Sequence, residues 1–195
     1  MTQAFLAESG LGAAGDFVAA IESDCRVVKT PIQRAHIAQA LVSSALRDGD
    51  WLPERFLTNE ATRYRSRTLH VGHESGITIR VLAWRRGQHT PIHDHVSWCV
   101  IGVYAGQERE LRYSNVSMSA TPRLRLTGDH VMRAGETALL LPPDDIHEVC
   151  CLTDDAVSIH VYGRALEGDA PSMRHMYEPS DVVAPLPRFA RALHI

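Results

Sequence analysis

Two histidines separated by one residue are the feature of the sequence best suited to binding a metal ion. His93 and His95 lie in the segment TPIHDH. Successive side chains of a β-strand point to opposite faces, so residues two apart share a face and both imidazoles can reach one ion. The chain has 11 histidines, and the alternative interpretation is that this spacing arose by chance in two surface residues.

A third histidine favours the metal interpretation. His147 ends the pattern G-x6-P-x-D-x2-H, which starts at Gly135 and passes through Pro142. The pattern predicts a turn, a strand and a second turn that bring His147 toward the first pair. Imidazole suits Fe, Zn, Cu and Ni, so the ligand type alone does not select the metal.

The spacing of apolar residues changes along the chain, and this change separates a helical region from the strands that must position these residues. Residues 1–60 are predicted to be mainly helical, with a helix that Thr30 caps and Gly49 ends, and an earlier one near Asp16 to Ile21. From about Thr62 the apolar residues recur every second position in short runs separated by Gly, Asn, Asp and Pro. Such runs, without helix-length segments between them, predict an all-β sandwich or closed barrel.

One domain over residues 1–195 accounts for this organisation. We expect a helical lobe over 1–60, a β-barrel over 61–165, and a C-terminal tail over 166–195 that packs on the barrel. The tail is rich in proline, and it covers either the barrel mouth or an interface.

Composition excludes several classes of protein. Lys plus Arg number 20 and Asp plus Glu 23, a net charge of −3, so we expect no nucleic-acid partner. No segment approaches the roughly 20 apolar residues of a membrane span, and the first ten residues lack a secretory signal. We therefore expect a cytoplasmic protein. The four cysteines contain no C-x-x-C pair and are predicted to be reduced.

Both histidine segments resemble the two motifs of the cupin superfamily. Residues 87–106 follow G-x5-H-x-H-x3-C-x6-G, which is similar to the first motif with Cys99 in place of its glutamate. The segment ending at His147 is similar to the second motif, with one extra residue before Pro142. The resemblance implies a double-stranded β-helix, a jelly-roll-like barrel, with His93, His95 and His147 as the metal ligands.

Within that superfamily, residues 63–162 resemble thiol dioxygenases of the bacterial cysteine dioxygenase type. Besides TPIHDH and Cys99, the resemblance rests on Ser158, His160 and Tyr162 in the segment SIHVY. These three side chains face the same way on a strand. In the family they form a relay in which the serine orients the histidine and the histidine orients the tyrosine. The alternative is three polar residues lining a solvated barrel mouth.

The resemblance implies a non-haem Fe(II) enzyme that oxidises L-cysteine with O2 to cysteine sulfinic acid. Its partners would be a small thiol and O2, with no membrane, in a monomer or small homo-oligomer. Arg67 matches in position the family's carboxylate-binding arginine. Relatives that act on mercaptopropionate carry glutamine there, so the arginine favours cysteine.

A thioether between Cys99 and Tyr162 is a further implication of the resemblance. In animal cysteine dioxygenases the corresponding residues are joined in this way. Only three residues separate His95 from Cys99 here, one fewer than in those enzymes. The alternative is that Cys99 is a small buried thiol of the core.

Other functions remain compatible with the motifs. One is a dioxygenase for another small thiol such as 3-mercaptopropionate, and another is a non-catalytic metal-binding cupin. A Zn or Ni hydrolase or isomerase is disfavoured, because Asp94 points away from its histidine neighbours. Only Asp144 and Asp145 could then supply a carboxylate base.

Overall fold

The computed structural model describes residues 12–168 and 170–183 of the 195-residue chain. The start of the predicted helical lobe and the end of the predicted tail lie outside these ranges. No helix among the described residues is long and apolar enough to cross a membrane.

In the part of the chain that the structure describes, two helices precede the strands. Helix α1 (Ala13–Val27) is longer than the predicted segment, and it buries Phe17, Ile21 and Cys25 at helical spacing. Helix α2 (Pro31–Ala45) begins as predicted, with the Thr30 hydroxyl accepting a 3.3 Å hydrogen bond from the Gln33 backbone amide. Short 3₁₀ turns occupy Glu54–Phe56 and Pro179–Asp181.

Ten strands follow in the described part of the chain. They are β1 (Arg65–Gly72), β2 (Ile77–Arg85), β3 (Ile92–His95), β4 (Cys99–Ala105), β5 (Gln107–Asn115), β6 (Leu124–Arg133), β7 (Thr137–Leu140), β8 (Ile146–Cys151), β9 (Asp155–Tyr162) and β10 (Met173–Tyr177). One sheet has the order β1-β2-β9-β4-β7 and the other β10-β3-β8-β5-β6, and neighbouring strands are antiparallel in both. The predicted all-β barrel with a helical N-terminal segment is confirmed.

The helices pack on the outside of the first sheet. A Cβ at Gly102 on β4 would lie 2.4 Å from Val42 Cγ1 on α2, so the glycine permits this close approach. Buried apolar residues of both helices join those of β2, β4 and β9 in one cluster. This packing holds the first sheet while its other face lines the barrel interior.

The C-terminal segment differs from the expectation of a tail. Residues 173–177 form β10, which pairs with β3 and extends the second sheet. Strand pairing between segments so far apart has no local sequence signal, and the run MRHMY does not alternate cleanly between apolar and polar residues. The strand that carries His93 and His95 is therefore flanked by β10 as well as β8.

Candidate metal centre

Strands β3 and β8 bring the three predicted ligands together. His93 and His147 are register partners, and His95 lies two residues along β3. One ring nitrogen from each histidine lies within 4.8 Å of the others, and all three residues are buried. The side-chain alternation of the two strands thus produces a cluster of three imidazoles inside the barrel.

Each ligand candidate is oriented through its Nδ1 atom. His93 Nδ1 contacts the Pro91 carbonyl at 2.9 Å, and His95 Nδ1 contacts Asp145 Oδ2 at 3.2 Å. His147 Nδ1 lies 2.9 Å from Glu110 Oε1. With Nδ1 held by an acceptor, the neutral ring carries its proton there and leaves Nε2 as a free donor of an electron pair.

The orientation of His147 provides a direct test of whether the site fits a metal. His147 Nε2 is buried and has no hydrogen-bond partner among the described residues. Such a group is costly unless something absent from the protein chain satisfies it. Three imidazole nitrogen donors around one point fit a divalent transition-metal ion.

Burial and the neighbouring rings keep His93 and His95 in the neutral form that binds metals. Burial first, and then the neighbouring His147 and His95, lower the pKa of His93 well below its ordinary value. Burial also lowers the pKa of His95, against the opposing effect of the Asp145 carboxylate. Neutral imidazole is the ligand form, so the site is ready to bind a cation at neutral pH.

The acidic partners of the ligands were not identified from the sequence. Burial alone would raise the pKa of Glu110, but hydrogen bonding and charge from His147 and Arg112 lower it to about 2. Asp145 also accepts a 2.8 Å hydrogen bond from the His95 backbone amide. The proximity of Asp145 to His147 in sequence was the available signal, although it acts on His95.

The residues predicted to form a relay are hydrogen-bonded in series on β9. Ser158 Oγ lies 3.0 Å from His160 Nε2, and Tyr162 OH lies 3.4 Å from His160 Nδ1. Trp84 Nε1 donates to Ser158 Oγ at 3.0 Å, a contact that the sequence did not reveal. Burial, followed by the charges of His147 and His95, lowers the pKa of His160 to about 3, so this ring is neutral.

A cavity of about 280 Å³ lies beside the histidines. Its wall includes His93, His147, His160 and Tyr162, together with Arg80 from β2. This volume is at the small end for ligand sites, which suits a compact molecule. The cavity thus joins the three-histidine cluster to the relay.

The structure does not bring Arg67 to this cavity. Arg67 pairs with Val81 across β1 and β2, and its Nη1 donates to the Thr58 carbonyl at 2.8 Å. On β1 the residue that lines the cavity is its neighbour Ser66. Alternation along the strand therefore directs the Arg67 side chain away from the cavity.

Arg80 is the buried cation of the cavity wall. It is 9% exposed, and its Nη2 donates to the carbonyls of Gly168 at 3.3 Å and Ala170 at 2.8 Å. It makes no ion pair within residues 12–168 and 170–183. Sequence reasoning passed over it because arginine is common in this chain, yet a charge inside the apolar run ITIRVLAW was the available signal.

Strand β10 closes one side of the cavity through a network centred on Asp94. Asp94 Oδ2 accepts from Arg174 Nη2 at 2.7 Å and from the Tyr177 hydroxyl at 3.2 Å, while Oδ1 accepts from the His175 backbone amide at 2.7 Å. Met173, Arg174 and His175 also line the cavity. Asp94 therefore points away from its neighbours His93 and His95, as predicted, and ties β10 to β3.

The four cysteines of the chain do not form disulfides. All four thiols are free and buried. Cys99 packs in a cluster that contains Tyr162, and burial, with the charges of Glu110 and Asp145, raises the pKa of Cys99 well above its ordinary value. Cys99 is thus a neutral thiol next to the relay.

Comparison with protein families gives a match to this arrangement. The family model described as cysteine dioxygenase type I matches residues 24–168. The chain belongs to the cysteine dioxygenase type I family. The matched region contains the three histidines, Arg80 and the relay, so membership supports thiol dioxygenase chemistry at a site that fits a metal.

The solved structures that are similar to this chain include several cupins. A cupin 2 conserved barrel domain protein from Leptotrichia buccalis has 14% identity over 57% of this chain and 46% of its own, with a TM-score of 0.42. Recombinant oxalate oxidase in complex with glycolate has 18% identity over 57% of each chain, with a TM-score of 0.43. A cupin-2 domain from Rhodospirillum rubrum has 12% identity over 64% of this chain and 74% of its own, with a TM-score of 0.43. The chain covers about half the length of the first two proteins.

Proposed function

We propose that the protein is a ferrous thiol dioxygenase that converts L-cysteine and O2 into cysteine sulfinic acid. The observation that carries the proposal is the buried Nε2 of His147, which has no hydrogen-bond partner among the described residues and lies in a cluster of three imidazoles beside a cavity lined by Tyr162. In the reaction the thiol sulfur loses four electrons and both atoms of O2 are retained, so RSH and O2 give RSO2H without another reductant.

His93, His95 and His147 would hold the iron. Bound there, ferrous iron supplies the redox chemistry that couples a thiolate to O2. The protein residues would hold the ion through ring nitrogens alone. Glu110 and Asp145 fix two of the rings through hydrogen bonds to their Nδ1 atoms.

Tyr162 would donate a hydrogen bond to the reacting molecules, and His160 would hold Tyr162 in place. Burial raises the pKa of Tyr162 above its ordinary value, so the phenol keeps its proton at neutral pH. His160 accepts or donates at Nδ1 and holds the phenol in place. Tyr162 then offers an O–H donor at the cavity wall for the substrate carboxylate or oxygen.

Arg80 would hold the substrate carboxylate, the role that sequence reasoning gave to Arg67. Among the described residues this buried guanidinium is bonded only to carbonyls and has no compensating anion, and a carboxylate is the natural partner in a bidentate arrangement. L-cysteine and 3-mercaptopropionate both carry one, whereas cysteamine does not.

The experiment compares these three thiols with Fe(II)-loaded protein. Oxygen uptake and mass spectrometry of the product should show sulfinate formation, with kcat/KM in the order L-cysteine, 3-mercaptopropionate, cysteamine. A preference for 3-mercaptopropionate would support thiol dioxygenase chemistry but contradict L-cysteine as the substrate. Absence of oxygen uptake with every thiol, despite bound iron, would favour a non-catalytic metal-binding cupin.

A pair of arginine variants separates the two candidates for carboxylate binding. Arg80→Gln should lower kcat/KM for L-cysteine about tenfold or more, the loss expected for a hydrogen bond to a charged group. Its effect on cysteamine should be small. Arg67→Gln is the matched control and should leave both values close to wild type. The reverse pattern would return the role to Arg67.

A further inference from the structure

Arg174 on β10 lies between two buried carboxylates. Its Nη2 atom is 2.7 Å from Asp94 Oδ2 on β3 and 3.8 Å from Oδ1 of Asp145, the residue before β8. The side chains of Asp94 and Asp145 are 4% and 0% exposed, whereas that of Arg174 is 38% exposed. A single guanidinium that reaches inward from β10 therefore faces two buried negative charges.

Asp145 uses its two oxygens for different partners. Its Oδ2 atom accepts a 2.8 Å hydrogen bond from the His95 backbone amide and lies 3.2 Å from His95 Nδ1. Its Oδ1 atom is buried and has no hydrogen-bond partner among the described residues, and it forms an ion pair with Arg174. A buried carboxylate oxygen without a donor is costly, so the nearby guanidinium is what offsets the charge at Oδ1.

The two ends of the Asp145 carboxylate together fix its orientation. The attraction of Oδ1 toward Arg174 opposes rotation of the carboxylate, and Oδ2 is thereby kept on His95. A carboxylate that bonds the Nδ1 atom of a ligand histidine fixes the direction of the ring. A chain of contacts thus runs from Arg174 through Asp145 to His95, one of the three clustered imidazoles.

Substrate binding is the other role that Arg174 could have, because it also lines the cavity. Its guanidinium already faces Asp94 and Asp145, so this group of three has no surplus positive charge for a substrate carboxylate. Arg80, in contrast, is bonded to carbonyl oxygens. The contacts of Arg174 therefore favour a role behind the metal ligands.

We propose that Arg174 is a positioning residue of the metal centre, which holds the Asp145 carboxylate and through it the ring of His95. The inference rests on the proposed function, because it requires that the three histidines bind a metal, but it does not depend on the substrate. It makes β10 a part of the metal site, although this strand is distant in sequence from every ligand.

The affinity for Zn2+, measured by competition with a chelator, tests this role without turnover. Arg174→Gln should weaken binding by up to about 10-fold, the low end of the effect of losing an orienting carboxylate. Arg174→Lys keeps the positive charge and should recover most of this loss. Arg26→Gln, which removes an exposed ion pair with Glu74 on α1, is the matched control and should bind as wild type does.

A double-mutant cycle separates this route from a general loosening of β10. Asp145→Asn should weaken Zn2+ binding by itself, and adding Arg174→Gln should then cause no further loss. Tyr177→Phe removes a contact between β10 and Asp94, leaves Asp145 untouched, and should keep wild-type affinity. If Arg174→Gln does not fold, Arg174→Met, which retains an apolar stem, replaces it in the cycle. Additive losses in the double variant would overturn the proposal.

The ring protons of the ligands give a spectroscopic readout. In Zn2+-loaded protein with 15N-labelled histidine, the Nδ1 proton of His95 should exchange slowly with water. Arg174→Gln should broaden this signal through faster exchange. The Nδ1 proton of His93, which the Pro91 carbonyl holds, should not change. Equal broadening of both signals would show that β3 loosens as a whole and would contradict a role through Asp145.

The sign of the change in affinity is decisive. Unchanged Zn2+ binding in Arg174→Gln would overturn the proposal, and so would tighter binding, because the guanidinium would then act only by repelling the cation. Zn2+ binding that depends on Arg174, in protein that oxidises no thiol, would support this role and reject the dioxygenase. Thiol oxidation with equal metal affinity in wild type and Arg174→Gln would reject the role of Arg174 alone.

Discussion

Cys99 on β4 lies directly opposite Tyr162 on β9 in the antiparallel register. Both residues are buried and belong to the same apolar cluster. The Cβ atoms of directly opposed residues lie about 4.5 to 5.5 Å apart, close enough for a side-chain sulfur to contact a neighbouring ring. The shorter spacing between His95 and Cys99 therefore does not prevent Cys99 from reaching the position opposite the tyrosine.

This pairing predicts that a thioether forms during turnover. Joining the sulfur to a ring carbon of Tyr162 removes one hydrogen from the thiol and one from the ring, and O2 takes up both hydrogens and two electrons to give H2O2. Iron-loaded protein incubated aerobically with L-cysteine should lose the mass of two hydrogen atoms, and peptide mapping should locate the link. Cys99→Ser should abolish the loss and Cys25→Ser, another buried thiol, should not. Unchanged mass after extended turnover would show that Cys99 is only a core thiol.

Metal binding should depend on both the ligands and the carboxylates behind them. His147→Ala should abolish stoichiometric iron binding, and Glu110→Gln should weaken it about 10-fold to 100-fold, the usual effect of losing a carboxylate that orients a ligand histidine. Anaerobic titration followed by metal analysis measures both. His73→Ala, at an exposed histidine, is the control. Full iron occupancy in His147→Ala would contradict the proposed three-histidine metal site.

Strand β10 should detach locally when its anchor on β3 is removed. Asp94→Asn deletes the charge that holds Arg174, His175 and Tyr177. Hydrogen bonds to a charged group are worth about 1.5 to 3 kcal/mol, and the partial exposure of Arg174 places the expected loss of stability at the lower end. Amide hydrogen exchange should accelerate across residues 173–177. Tyr177→Phe, which removes one contact, should have a smaller effect, and equal exchange in all three proteins would contradict this account.

Glu108 should lower the stability of the fold as the pH rises. Its pKa is raised from 4.5 to about 7, so between these values the folded state binds more protons than the unfolded state. Stability conferred by this group is therefore present below pH 4.5 and is lost as the pH rises through 7. Glu108→Gln should gain up to about 3 kcal/mol relative to wild type between pH 4.5 and pH 8, from about 1.4 kcal/mol per unit of pKa shift. Urea unfolding at both pH values measures this difference, and a constant difference would contradict the raised pKa.

The sequence predicts those parts of the site that depend on local alternation. His93 and His95, and the three relay residues, share a face because each set lies on one strand, and periodicity alone places them. The barrel follows from the spacing of short β-prone runs in the same way. His147 depended on a weaker signal, a pattern of two turns and a strand, and the resemblance to a known motif supported it.

Contacts between distant strands could not be predicted in this way. Glu108 and Glu110 are charged residues on one strand, and their alternation resembles that of a solvated face, although the structure buries them, like Arg80, in the barrel. Arg174 reaches the cavity only because β10 pairs with β3. Arg67 shows the opposite case, since a match in sequence position did not bring its side chain to the cavity.

Isotope incorporation from 18O2 tests the central claim most directly. Protein loaded with Fe(II) is mixed with L-cysteine under 18O2 in ordinary water, and the product is analysed by mass spectrometry. The account predicts cysteine sulfinic acid that contains both 18O atoms, and no such product from His147→Ala. Unlabelled product, a single 18O atom, or oxidation to cystine alone would contradict a dioxygenase at the three-histidine site.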